Sequence, residues 1–379
     1  MTGMYEVPLI GGPVEFRGAL DLEQRMAGVL PRRLPAWTRE QYPDPFMDFA
    51  TTMPSGVRLA FRTEATSLQL DVHTVVQHLD GRPAPASPGM VDLRLDGEPA
   101  GWADVPVGDV LRRSHARAEG RLVRGRPGAV FFAGLPGRMK EVELWLPQQT
   151  PCELAALRAN APVHPPTPTG RRRWVHYGSS ISHCAQADSP TGTWPVVAAT
   201  AAGVEVVNLG FAGNAMLDPF IARTIRDLPA DLISLKVGVN IVARAAFKPR
   251  TFGPAVDGFL DTVREGHPDV PLLVISPIIL PKAEDAPGLD PGDGFPDLGD
   301  PGDLPLDVLT MATLRRTLAE IVRRRARYDR RLAFLDGREL FGAADVEDLP
   351  DGTHPNAAGY RRMGERFAAK AFGPGGAFH

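Results

Sequence analysis

The sequence predicts two domains in tandem: an all-β sandwich or jelly roll, then a three-layer α/β domain built on a parallel sheet. Three observations predict this. Apolar and polar residues alternate in short runs up to residue 160. A proline-rich stretch from Ala161 to Gly170 then interrupts the pattern. Beyond it, short apolar runs alternate with helical segments. The chain of 379 residues is also longer than one core usually serves. The expected division is residues 1–160 for the sandwich, 161–172 for a linker and 173–379 for the α/β domain.

In the first part, Gly56–Arg62, Ser67–His73 and Val91–Gly97 show the period of half-buried strands, the last ending on an Asp-Gly turn. Ala129–Ala133, Lys140–Leu146 and Cys152–Leu157 follow at hairpin-like spacing. Short strands between Gly/Pro turns suit a sandwich. In the second part, five apolar runs read as strands: Trp174–Tyr177, Val204–Leu209, Leu232–Val237, Leu272–Ser276 and Leu332–Asp336. Helices are expected at Pro195–Ala202, Pro219–Asp227, Ala255–Glu265 and Leu306–Tyr328, with a final one after Pro355. Strands this apolar, each followed by a helix, are covered on both faces, and ligands then bind beyond their carboxyl ends. The segment Lys282–Leu304 breaks the pattern. Its aspartates (Asp285, Asp290, Asp293, Asp297, Asp300, Asp303) miss the EF-hand spacing, which leaves a solvated loop over the active-site edge as the expectation.

Composition excludes several classes. Lys and Arg number 42 against 45 Asp and Glu, a net charge of −3, so no polyanion partner and no nucleic acid is expected. No apolar run reaches membrane-spanning length, and residues 1–16 lack the pattern of a signal peptide. The two cysteines, Cys152 and Cys184, imply no disulfide framework, so a reducing cytoplasm is expected. Nothing in the sequence speaks to oligomeric state.

Four segments at strand ends carry the chemistry. Tyr177-Gly178-Ser179-Ser180-Ile181-Ser182 places serines on a turn leading towards a helix, where a hydroxyl and a backbone N–H can share one space. It is not the G-x-S-x-G elbow, and alone it also reads as an ordinary turn. Asn208-Leu209-Gly210-Phe211-Ala212-Gly213-Asn214 has glycines that permit close backbone approach to a ligand, though alone it too reads as a turn. Asn240, in Gly-Val-Asn, offers a neutral amide donor. The most specific is Asp351-Gly352-Thr353-His354, in which a carboxylate three residues ahead can reach the imidazole Nδ1 while Nε2 faces a nucleophile. His176, inside a strand, reads instead as a satisfied core or rim histidine.

These four blocks, in this order, resemble the SGNH hydrolases, or GDSL lipase/esterase family, over residues 173 to 372. Ser180 matches the nucleophile, Gly213 the second-block glycine, Asn240 the third-block asparagine, and Asp351 and His354 the fifth-block pair. Ser179 stands where the family usually has Asp, and it is the one rival nucleophile. The resemblance implies a flavodoxin-like fold, Ser180–His354–Asp351 acyl-transfer chemistry, and an oxyanion hole from the N–H groups of Ser180 and Gly213 with the Asn240 amide. It implies no cofactor and no metal.

A sandwich ahead of such a domain is similar to the layout of the family-two carbohydrate esterases, which implies a small acyl, acetyl foremost, on a sugar or glycosylated small molecule. Trp194 and Phe211 are candidates to line its pocket. Three alternatives stay open: an acyltransferase using the same acyl-enzyme, a non-catalytic carbohydrate-binding protein, and a sandwich that only packs rather than binding sugar.

Overall fold

The computed structural model describes residues 3–79, 87–114, 117–286 and 308–379. Most of the acidic segment, including Asp290, Asp293, Asp297, Asp300 and Asp303, lies outside the described residues. Two compact units form: Met1–Gly170 with Ser189–Thr191, and Arg171–Asp188 with Gly192–His379.

In the first unit each run predicted from alternation forms a strand: Arg58–Thr63, Ser67–Leu79, Met90–Leu95, Gly128–Ala133, Lys140–Trp145 and Cys152–Ala159. Further strands at Tyr5–Val7, Glu15–Arg17, Asp21–Gln24 and Val29–Arg32 are too short to show a period. Glu98–Asp104 is exposed at nearly every position, so it pairs as an edge strand without an apolar side to reveal it. Inside the proline-rich stretch, Val163–His164 pairs with Arg58–Thr63. The strands make an eight-stranded and a six-stranded sheet. Their inner faces share a core in which Leu59, Phe61 and Leu144 meet Leu70, Val72 and Leu154.

Lys140 ties the smaller sheet together. Its buried ammonium reaches the carbonyls of Thr63, Ala65, Pro136 and Arg138 at 3.2, 2.7, 2.7 and 3.3 Å.

The second unit is a five-stranded parallel sheet of β1 (Arg173–Gly178), β2 (Glu205–Gly210), β3 (Leu232–Lys236), β4 (Leu272–Ile275) and β5 (Leu332–Leu335). Strand order is β2-β1-β3-β4-β5. The connection direction reverses between β1 and β3, which opens a crevice at their carboxyl ends. Helices α1 (Ser180–His183), α2 (Trp194–Ala202), α3 (Pro219–Asp227), α4 (Val239–Ala243), α5 (Pro249–Gly266), α6 (Met311–Arg325) and α7 (Ala357–Phe367) surround it. Helix α5 begins before the predicted Ala255 and runs through Pro254. The proline and the glycines around it read as breakers, yet Phe252, Val256, Phe259, Leu260 and Val263 bury one continuous stripe, and that burial overrides propensity. No helix among the described residues is long and apolar enough to cross a membrane.

Replacing Lys140 with Met leaves four buried or half-buried carbonyls without their donor. The variant is expected to lose on the order of 2–4 kcal/mol in urea denaturation, and an unchanged midpoint would contradict this bonding.

Candidate active site

Parallel register decides what meets at the crevice. Asn208 of β2, His176 of β1 and Ser234 of β3 are register partners in one row, and Gly210, Gly178 and Lys236 form the row two residues on. Beyond these rows β1 turns into α1. Ser179 caps this short helix, its Oγ accepting from the Ile181 N–H at 3.3 Å. Cys184 ends it in the left-handed region at φ 60°. Ser180 thus sits at the first helical position, 8% exposed, while Ser179 faces its own backbone.

The row beneath α1 is polar and wholly buried. Trp174 Nε1 donates to Ser234 Oγ at 2.8 Å; Ser234 Oγ lies 2.7 Å from His176 Nδ1, and His176 Nε2 lies 2.7 Å from Ser182 Oγ. Asn208 Nδ2 donates to the Ser182 carbonyl at 2.9 Å. Both ring nitrogens of His176 are therefore satisfied. Burial, with Lys236 nearby, pushes its pKa well below the usual imidazole value, so it stays neutral. Gly210 makes room for this packing: a Cβ there would stand 2.5 Å from the His183 nitrogen. Ser182 and Asn208 lie at the ends of two of the strand-end segments, but the sequence assigned no role to either of them or to Ser234. The available signal was a set of polar residues on strands otherwise apolar.

His354 is carried on the loop before α7. Its Nδ1 lies 2.7 Å from Asp351 Oδ2, and its Nε2 lies 2.8 Å from Ser180 Oγ. Asp351 Oδ1 also accepts the N–H groups of His354 and Thr353 at 2.7 and 2.9 Å. Burial alone would raise the Asp351 pKa, but the hydrogen bonds from His354 outweigh it and hold the carboxyl far below the usual range. An ionised Asp351 accepts the Nδ1 proton, which leaves the Nε2 lone pair facing the Ser180 hydroxyl.

Asn240 is fully buried. Its Oδ1 accepts the Ala215 N–H at 3.0 Å, which orients the amide, and its Nδ2 has no hydrogen-bond partner among the described residues. A buried donor left open is costly unless something else fills it. Gly213 adopts φ 70°, a conformation open to glycine, and its carbonyl accepts from Arg244 Nε at 3.1 Å.

Trp194 and Phe211 are corrected. Both rings are 0% exposed and present no surface to a ligand. Trp194 donates to the Ile181 carbonyl at 2.9 Å and packs edge-on against His176, so it anchors the turn that bears Ser180 from behind. Cys184 and Cys152 are buried free thiols whose pKa values burial raises, that of Cys152 to about 12. No group of three or more metal-ligating side chains occurs among the described residues.

A parallel sheet of this order, with a serine, a histidine and an aspartate hydrogen-bonded in series at its carboxyl edge, defines a serine acyl-transfer enzyme of the SGNH type. Residues 176–362 match the GDSL-like lipase/acylhydrolase family, and the second unit belongs to that family. Residues 14–152 match the N-terminal domain of SsfX3. Among solved structures, the chain is similar to the salicylyl-acyltransferase SsfX3 from a tetracycline biosynthetic pathway (29% identity, 96% of this chain and 95% of that one, TM-score 0.77). It is also similar to a GDSL-like lipase from Bacteroides ovatus (21% identity, 96% of each chain, TM-score 0.69). A family two carbohydrate esterase from Cellvibrio japonicus shares the fold (13% identity, 97% of each chain, TM-score 0.57). No curated protein matches the chain.

Three substitutions separate the roles. Ser180→Ala is expected to lower turnover of p-nitrophenyl acetate by at least about 10³-fold, and Asn240→Ala by about 10²–10³-fold in kcat. Ser179→Ala is expected to stay within about tenfold of the parent, since it loses a cap and not a nucleophile. Equal losses in the two serine variants would count against Ser180.

The second test uses Lys236, a buried amine whose pKa burial lowers to about 7. It holds its proton less tightly when folded than when unfolded. The unfolded chain therefore binds more protons between about pH 7 and the ordinary lysine value near 10.4, and stability rises with pH across that window. Lys236→Met is expected to flatten this rise in urea midpoints compared at about pH 7 and about pH 9.5. Parallel profiles for the two proteins would contradict it.

Proposed function

We propose that the protein is a serine esterase that removes a small acyl group, acetyl foremost, from a sugar-like or glycosylated small molecule. The observation that carries the reading is His354, bridging Asp351 and Ser180 at 2.7 and 2.8 Å. In this reading His354 Nε2 takes the Ser180 proton as Oγ bonds to the ester carbonyl carbon. The negative charge that develops on the carbonyl oxygen is met by the Asn240 amide, together with the N–H groups of Ser180 and Gly213. Collapse breaks the bond to the alcohol, which leaves with the proton from His354. Water, deprotonated by the same histidine, then releases the acid and restores Ser180.

The open Asn240 Nδ2 supports this reading, because the chemistry supplies an acceptor that no described residue offers. Support for a sugar-like alcohol is the fold shared with family two carbohydrate esterases, which speaks to architecture alone. The two free cysteines suit a reducing compartment such as the cytoplasm.

A second reading has its own observation. The 29% identity to the salicylyl-acyltransferase SsfX3, across both units, favours passing the acyl group to an acceptor hydroxyl in place of water. The two differ only in what resolves the acyl-enzyme.

Product analysis decides between them. With p-nitrophenyl esters of increasing chain length, acetyl is expected to give the highest kcat/KM, with free acid as product even when methyl glucoside or salicyl alcohol is present. Acylated acceptor as the main product would establish the transferase, and no turnover of any ester by the folded protein would sink both.

A further inference from the structure

The turn that follows β2 carries Gly213, and a neighbouring side chain decides which way the Gly213 N–H points. Phe211 to Asn214 form a β-turn closed by the Asn214 N–H on the Phe211 carbonyl at 3.1 Å. Gly213, its third residue, has φ 70°, and Ala212 before it is not among the residues of positive φ. That pair of conformations defines a type II turn. Types I and II differ by a reversal of the central peptide, here the one joining Ala212 to Gly213. Glycine occupies either form without strain, so the residue type alone leaves the direction of this N–H open.

Asn214 closes the choice. It is 4% exposed, and its Nδ2 donates to the Ala212 carbonyl at 2.7 Å. In a trans peptide the carbonyl and the N–H point in opposite directions. Holding the Ala212 oxygen therefore aims the Gly213 N–H away from the Asn214 amide, and that N–H makes no hydrogen bond among the described residues. Reversal to a type I turn would carry the Ala212 oxygen away from Nδ2.

Other groups fasten the rest of the turn. The Phe211 N–H donates to the Gly178 carbonyl at 2.8 Å, two residues ahead of Ser180. From α4, Asn240 Oδ1 accepts the Ala215 N–H at 3.0 Å, and Arg244 Nε donates to the Gly213 carbonyl at 3.1 Å. Removing the Asn214 amide thus frees one peptide and leaves its surroundings held.

We infer that Asn214 is a positioning residue of the oxyanion hole, its side-chain amide fixing the Ala212–Gly213 peptide so that the Gly213 N–H meets the carbonyl oxygen of the substrate. This rests on the reading of Ser180 as nucleophile and Gly213 as donor. Asn214 acts through Gly213 and not on the ester itself.

The test compares Asn214→Ala and Asn214→Asp with the parent at about pH 8. Turnover of p-nitrophenyl acetate is measured beside inhibition by trifluoroacetone. Addition of Ser180 Oγ to that ketone puts the negative charge on its oxygen and the proton on His354, as in the tetrahedral intermediate. Asp matches Asn in size, and its carboxylate has no proton to donate. Each variant is expected to lose about 10–10²-fold in kcat, less than removal of a donor because the freed peptide still samples the productive direction. KM is expected to stay within about twofold, and the Ki of the ketone to rise as far as kcat/KM falls. Urea midpoints near the parent value show that the variants are folded, and Asn214→Asp carries the test where the alanine variant is not. A parent-like kcat, or a loss in kcat that leaves the ketone Ki unchanged, overturns the inference. Ser180→Ala, run alongside, keeps the two failures apart. Turnover retained by that variant sinks the esterase reading, whereas turnover lost there and kept in the Asn214 variants sinks the role of Asn214 alone.

Discussion

A buried polar group must find its partner inside the protein, and the floor of the candidate site is organised by that requirement. Asn208, His176 and Ser234 sit in one register row of three adjacent parallel strands. Their hydrogen bonds run from the Trp174 indole through Ser234 and His176 to Ser182, and from Asn208 to the Ser182 carbonyl. Every one of these residues is 0% exposed. A slip of one residue in any of the strands would turn these groups to the other face and leave them unpaired, so the polar row specifies register as strictly as the apolar residues around it. The strand-to-helix turn that bears Ser180 is seated on this row. Its position is set from below by packing and hydrogen bonds that take no part in the chemistry proposed above it.

Two histidines of this unit, His176 and His354, illustrate how environment divides labour. His176 is enclosed, neutral and bonded at both nitrogens, so it can only hold. His354 lies at the surface edge of the crevice between a carboxylate and a hydroxyl, so it has a proton to receive and a group to take it from. Asp351 spends one oxygen on the backbone N–H groups of its own loop and the other on the ring. The loop geometry and the orientation of the imidazole are therefore one structure. Asn240 follows the same economy, with its oxygen committed to Ala215 and its nitrogen left open.

The β-rich unit is held differently. Its stability rests on two inner faces of Leu, Val and Phe, and on isolated polar anchors such as the Lys140 ammonium among carbonyls. On its outer face His73 and Glu153 stand side by side as register partners.

The sequence by itself determined the order and type of the main elements, because periods of two and runs of apolar residues report local burial without any knowledge of what covers it. It also pointed to Asp351 with His354, since a carboxylate three residues from an imidazole can meet it within one turn of chain, whereas Ser180 joined them only through the resemblance of the four blocks to a known family. Three- and four-residue strands escaped, and so did the start of α5, where propensity at Pro254 argues against the helix that burial enforces. Only the tertiary structure decided which polar residues face one another. Strand order brought Ser234 against His176 across fifty-eight positions of chain, closed Trp194 and Phe211 into the core and away from any ligand, and left Asn240 Nδ2 without a hydrogen-bond partner among the described residues. Those facts depend on contacts between residues remote in sequence, and a local pattern carries no record of them.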